Sequence, residues 1–442
     1  MSLELELKNK IKTAADVAAS VSSGDRIDYG GFIAQPDVFD VALAARKDEL
    51  KDVVIRNSLS VSPRQVIEVD PDQESFTFEC WHFGGYDRKM HKQGSSSYVP
   101  FNFGEAPDIY RRYMKVDLAV IKTTPMDEHG FFNFGVANAY TRAILDVADR
   151  IVVETSEAMP HCAGVQADVH ISEVEAIIKG DDKPLFELPS PPLTDVDRKV
   201  AQWIIPEISD GSCLQIGIGG MPNAVCAALV DSDIKDLGIN TEMFVDNMVD
   251  LVEAGKVSGR FKQSYRGQIT YAFAVGSQRM YDFLDNNQAV SSLPVDETNL
   301  PHNISANRNV ISINNAMQID LSGQVSSESC AYQHVSGTGG QLQFVRGAYA
   351  SEGGKSFMCL SSRFMRGDQP VSRIVLGLDP GTVVTTPRTD VMYVVTEYGI
   401  TNLKGKSVPE RALALIELAH PDDRERLKQE AIDNKVLPRR YW

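Results

Sequence analysis

A chain of 442 residues is too long for one ordinary domain, and 43% hydrophobic with 24% charged residues is globular composition. The formal net charge of −16, with no run of Lys or Arg, speaks against nucleic acid or an anionic membrane as the main partner. It leaves room for a small anionic ligand, which a local cluster of backbone N–H groups can bind. No apolar stretch approaches the roughly 20 residues that cross a bilayer. The start, Met1-Ser2-Leu3-Glu4-Leu5-Glu6, is acidic and unlike a signal peptide, so the cytoplasm is the expected compartment. The six cysteines are scattered without a C-x-x-C pair, which predicts free thiols and no metal site.

In chain order, Asp117–Ile121 and Arg150–Val153 read as buried strands, as do Ile374–Leu376 and Met392–Val395. Strands interleaved with helical patterns predict an α/β class with mostly parallel sheets. The proline-rich stretch from Lys183 to Leu193 reads as an extended linker. A helix should follow it, capped by Thr194 with Asp197 three residues on and apolar on the Val196, Val200 and Ile204 face. Two domains, 1–190 and 191–442, are therefore expected.

The two halves resemble each other. Ser23–Gly31 reads onto Asp210–Ile218, and both runs continue to a proline, Pro36 or Pro222, and an apolar helix holding Leu43 or Leu229. Asp127-Glu128-His129-Gly130 likewise matches Asp320-Leu321-Ser322-Gly323. Two matches in the same order predict a duplicated open α/β unit.

The sharpest motif runs from Leu214 to Val225: a strand, the turn Gly217-Ile218-Gly219-Gly220, then a helix opened by Pro222. Such a turn lets a ligand approach the backbone, and the helix N-terminus adds unpaired donors for a phosphate or an oxyanion. Pro222 stands where a dinucleotide fingerprint needs its last glycine. Gly353-Gly354-Lys355-Ser356 lacks the first glycine of a P-loop and is expected to be a hairpin turn. Ser336-Gly337-Thr338-Gly339-Gly340 suits either a solvent loop or contact with a large ligand. There is no G-x-S-x-G elbow and no H-E-x-x-H, which argues against serine and zinc hydrolases. Sixty acidic residues remain, and pattern alone selects none of them. Glu242 is distinguished only by its apolar neighbours before a helical run. Ser407-Val408-Pro409-Glu410 starts a C-terminal packing helix.

Taken together, these residues resemble the acetyl-CoA hydrolase/transferase family, on the side of its 4-hydroxybutyrate and butyryl-CoA:acetate CoA-transferases. The likeness runs in order through Pro125–Gly130, Gly217–Asn223, Thr241-Glu242-Met243, Asp250–Gly255, Gly339-Gly340-Gln341, Glu397–Ile400 and Asn402–Lys406. It implies two similar open α/β domains. It also implies Glu242 as covalent nucleophile and CoA contacts at Gly219, Gly220, Met221, Pro222, Asn223, Met317 and Gly340. Ile33 and Ala34 stand where Gly219 and Gly220 do, so only the second domain should supply the turn. The implied activity is CoA transfer between short-chain carboxylic acids through a glutamyl-CoA thioester. CoA and acyl-CoA are then substrates, with no permanently bound cofactor, and a homo-oligomer is expected. An acyl-CoA hydrolase on the same fold and a non-catalytic CoA-binding regulator are the alternatives.

Overall fold

In the computed structural model, residues 2–190 and 192–441 are described. Met1, Pro191 in the expected linker and Trp442 at the end of the expected second domain lie outside them. Contacts divide the chain into two units. One comprises Met1–Pro189, Glu242–Asp246 and Thr270–Thr298; the other comprises Ser190–Thr241, Asn247–Ile269 and Asn299–Trp442.

The first unit is built on seven strands: β1 (Arg26–Gly31), β2 (Val53–Ser58), β3 (Phe76–Cys80), β4 (Ser97–Tyr98), β5 (Leu118–Thr123), β6 (Ile151–Thr155) and β7 (Ala176–Lys179). Their order is β4-β3-β2-β1-β5-β6-β7, with every pair parallel. The interior strand β5 is buried along its whole length, as expected of a strand covered on both faces. Ile27, Tyr29, Phe39, Leu43, Ile55, Phe78 and Val120 form its core. Each such fully buried side chain contributes about 1.5–3 kcal/mol through removal of apolar surface from water.

The second unit has β8 (Cys213–Ile216), β9 (Gly238–Phe244, whose last three residues belong to the first unit), β10 (Val310–Asn315), β11 (Lys355–Cys359), β12 (Tyr393–Thr396) and β13 (Gly399–Asn402). Their order is β9-β8-β10-β11-β12-β13, all parallel except the β12–β13 hairpin. In both units the first strand lies inside the sheet. It pairs with the next strand on one side and a later one on the other.

The two Asp–Gly turns share one geometry. Asp127 Oδ1 accepts from the backbone N–H of His129 and Phe131 at 2.9 and 2.8 Å, and Asp320 Oδ1 accepts from Ser322 and Gln324 at 2.9 and 3.0 Å. Gly130 and Gly323 both take positive φ, +91° and +97°, the left-handed conformation for which glycine is suited. This shared turn and the shared strand order support a duplicated unit.

Local signals place several elements. Thr194 and Asp197 form a full capping box for the helix Asp195–Ile204, and Ser407 with Glu410 does the same for Val408–Leu418. Ile374–Val375 is a strand, as read, and pairs in a three-stranded sheet with Gln318–Asp320 and Val325–Ser326. One reading changes. Gly353-Gly354 links the helix Gln341–Ala350 to β11, so it is a helix-to-strand turn and not a hairpin. No helix among the described residues is long and apolar enough to cross a membrane. The cysteines are all free.

Asp28, wholly buried on β1, accepts from Tyr110 Oη at 2.6 Å and Gly30 N–H at 2.8 Å. Burial pushes its pKa from 3.8 up to about 7, more than these bonds pull it down. The folded state therefore holds the proton more tightly than the unfolded chain. Its contribution to stability is complete below about pH 4 and is lost as the pH rises to about 7. Across that window, urea titrations of the wild type should show a decline of up to roughly 4 kcal/mol relative to Asp28→Asn. A pH-independent difference between the two proteins would refute this.

Candidate active site

Strand β8 carries Leu214-Gln215-Ile216 into the glycine turn. Gly217 N–H donates to Ile313 O at 2.8 Å, which ties the turn to the neighbouring β10. Beyond it the backbone leaves the sheet, and the amides of Ile218, Gly219, Gly220 and Met221 donate no hydrogen bond within the described residues. Pro222 has no N–H, and Asn223 N–H returns to Gly219 O at 3.1 Å. Four successive donors thus remain at the positive end of the eleven-residue helix Gly220–Val230. That helix begins two residues ahead of Pro222. A proline fits within the first turn because no intrahelical acceptor exists there for the N–H it lacks.

The turn is held from three sides. Gly219 has φ +119°, and Asn315 Nδ2 donates to Ile218 O at 2.9 Å; a Cβ on Gly219 would sit 2.4 Å from that same nitrogen. A Cβ on Gly220 would lie 2.7 Å from both carboxylate oxygens of Asp197, which pairs with Thr194 in the capping box of the preceding helix. Beneath the turn, the nearly buried side chains of Gln215, Ser312 and Asn314 bond one another. Ser312 Oγ donates to Gln215 Oε1 at 2.6 Å, Asn314 Nδ2 to the same oxygen at 3.1 Å, and Gln215 Nε2 to Asn314 Oδ1 at 3.2 Å. Sequence reasoning missed this cluster, whose partners lie 97 and 99 residues apart.

Met317 lies two residues beyond the end of β10 and is half-buried; its N–H donates to Ser326 O at 2.8 Å. Gly340 is buried and caps the helix Gln341–Ala350. Gln341 Nε2 donates to Thr386 Oγ1 at 3.0 Å, and Thr386 N–H to Val325 O at 3.1 Å, next to Ser326. The expected contacts Gly219–Asn223, Met317 and Gly340 therefore all belong to the second unit, linked by short hydrogen-bond paths. Glu242 lies on β9, half-buried between the buried Thr241 and Met243. Contacts group it with the first unit, in the segment Glu242–Asp246.

The first unit's matching turn differs. Phe32–Ala34 forms a buried 3-10 turn, and Phe32 stacks on Phe273 with ring centroids 3.7 Å apart. The next helix, Val38–Ala44, has its N-terminus occupied by Glu154, which accepts from the N–H groups of Asp37, Val38 and Phe39 at 2.8, 3.2 and 2.9 Å. Its dipole end is answered from within. Among the described residues, no group of His, Cys, Asp and Glu could hold a metal ion.

A duplicated open α/β architecture with one unanswered glycine turn delimits the class, and comparison with known proteins agrees. Residues 1–189 match the Acetyl-CoA hydrolase/transferase N-terminal domain and residues 276–431 its C-terminal domain. The chain is 46% identical, over 98% of both chains, to the butyryl-CoA:acetate CoA-transferase of Anaerostipes caccae. It is 36% identical to the 4-hydroxybutyrate coenzyme A transferase of Clostridium kluyveri, over 97% of this chain and 99% of that one. The crystal structure of RipA from Yersinia pestis superposes with a TM-score of 0.91 at 37% identity, covering 99% of this chain and 100% of that one. The chain belongs to the acetyl-CoA hydrolase/transferase family, and it is a CoA-transferase.

Gly219→Ala forces an L-residue into a positive-φ conformation and displaces Asn315. It should weaken CoA binding in calorimetry about tenfold, equivalent to about 1.4 kcal/mol, and lower the urea midpoint through about 1–3 kcal/mol of backbone strain. Unchanged CoA affinity would remove the turn from the site.

Proposed function

We propose that this CoA-transferase moves CoA between short-chain carboxylic acids, butyrate or 4-hydroxybutyrate with acetate, through a covalent thioester on Glu242. The observation that carries the reading is the run of four unanswered amides from Ile218 to Met221. The choice of acids follows what the relatives are named for. CoA is a substrate that enters and leaves, held at Gly219–Asn223, Met317 and Gly340. The proposal includes a functional division near residue 190, a homo-oligomeric assembly and a cytoplasmic setting.

CoA can pass between acids without ATP only if the energy of the thioester is retained, and a carboxylate nucleophile retains it. The Glu242 carboxylate attacks the acyl-CoA carbonyl; the C–S bond breaks, leaving an acyl-glutamyl anhydride and CoA thiolate. The thiolate attacks the glutamyl carbonyl, forming glutamyl-CoA and releasing the first acid as carboxylate. A second carboxylate then runs the two steps in reverse. No proton changes hands, so no general base is needed. The carbonyl oxygen gains negative charge in each attack, and amides of the Ile218–Met221 run are the donors proposed to stabilise it. Such donors contribute a few kcal/mol each in characterised enzymes.

Borohydride added to enzyme incubated with acyl-CoA should reduce a glutamyl thioester, and peptide mapping should find the change at Glu242. Glu242→Ala should lose about 10⁴-fold or more in kcat. Initial rates should follow ping-pong kinetics, and acyl-CoA should persist when no acceptor acid is present. Label at another residue, or an active enzyme without label, would overturn the assignment. Steady consumption of acyl-CoA by water alone would favour a hydrolase.

A further inference from the structure

Arg373 follows the strand Gln369–Ser372 and is half-buried. Its Nη1 donates to Met317 O at 2.9 Å and its Nε to Ser361 Oγ at 3.1 Å, while the guanidinium lies 4.7 Å from the centre of the Phe364 ring. Among the described residues it has no carboxylate partner, and Nη2 carries no protein hydrogen bond. Desolvation presses its pKa below the ordinary arginine value, and the single group that offsets this is the Cys330 thiol. Partial burial of a guanidinium without a counter-ion costs free energy. Its planar fork is shaped for carboxylate or phosphate.

Its position suggests which anion it serves. Met317 lies two residues beyond Asn315, and Asn315 holds the glycine turn through Ile218 O. Arg373 is thus tied to the C-terminal end of β10, the end at which β8 enters the turn, and ligands of open α/β sheets bind at that end. Lys262 is a contrasting case. It is buried, and its Nζ donates to Ile239 O at 2.9 Å and Gln268 O at 2.8 Å, but it sits near the start of β9, away from the turn. In a chain of net charge −16, a substrate with several phosphates needs local cations to offset the general repulsion.

We propose that Arg373 binds a phosphate of CoA's nucleotide end, with Nη2 as donor, while its bonds to Met317 and Ser361 fix its direction. This rests on CoA occupying the second unit's turn and deepens that reading. Arg373 touches the substrate away from the reacting carbonyl, so it acts on binding and not on the acyl chemistry.

The test compares acetyl-CoA, acetyl-dephospho-CoA and acetyl-pantetheine as donors for wild type, Arg373→Met and Arg373→Lys. Arg373→Met should lower kcat/KM for acetyl-CoA about ten- to hundredfold, the range of a charge-assisted hydrogen bond, through KM. It should leave acetyl-pantetheine, which carries neither phosphate nor nucleotide, within about twofold. Arg373→Lys should recover part of the loss. If the loss is confined to acetyl-CoA, the partner is the 3′-phosphate; if it extends to acetyl-dephospho-CoA, the partner is the diphosphate. An equal fall with all three donors would make Arg373 structural, and no change would remove it from the site; either overturns the proposal. Phenylglyoxal modification of the wild type, mapped by mass spectrometry, reads the same contact without a variant. CoA should protect Arg373 and pantetheine should not, and equal protection by both would also refute the proposal. This readout does not depend on Glu242, so failure of the covalent mechanism and failure of the Arg373 contact remain separable.

Discussion

A strand that feeds a helix through a tight turn leaves backbone donors unsatisfied at the helix N-terminus, and the fold must answer them or leave them for a ligand. This chain meets the problem twice with different outcomes. After β1, Glu154 reaches across and accepts from three consecutive amides, and the preceding turn is buried under aromatic rings. After β8, nothing in the described protein accepts from Ile218 to Met221. One architecture thus yields a closed structural end and an open one, and the difference resides in a few side chains, not in topology.

Leaving donors open is useful only if the backbone that carries them is held still, because reorganising dipoles at the moment of reaction costs much of what they contribute. The Gln215–Ser312–Asn314 cluster joins β8 to β10 where the strands end, and Asn315 clamps Ile218 from above it. Asp197 fills the space next to Gly220 that any side chain would need. Glycine is required here for two distinct reasons: positive φ at Gly219 and close approach at Gly220.

What could be read from sequence was what is encoded locally. The helix at Asp195 is announced by Thr194 and Asp197, three residues apart, and the glycine turn by its own composition. Glu154 answers amides about 115 residues earlier in the chain, and the cluster beneath the turn joins residues nearly 100 apart. No window of sequence contains either. Ile374-Val375 was legible as a strand, but a short apolar run reports burial without naming the partner strand, which is Gln318–Asp320. Pro222 marked the helix but not its first residue, since the first turn accepts proline at more than one position. Glu242 had no local signature at all, being one of 60 acidic residues, and family likeness singled it out.

The proposed mechanism places an unusual demand on binding. A glutamate carboxylate, with an ordinary pKa of about 4.3, is ionised at neutral pH but is a poor nucleophile because its charge is stable. Activating it by desolvation alone would raise its pKa and lower its charged fraction, so that route limits itself. The remaining source is the part of CoA that does not react. Interactions with its nucleotide end, if they tighten only as the acyl carbonyl reaches its tetrahedral geometry, lower the barrier without over-stabilising the bound substrate. A rigid open turn has already incurred its cost in the folded protein and gains most when negative charge develops beside it, while Arg373 adds to the affinity for CoA without entering the acyl chemistry.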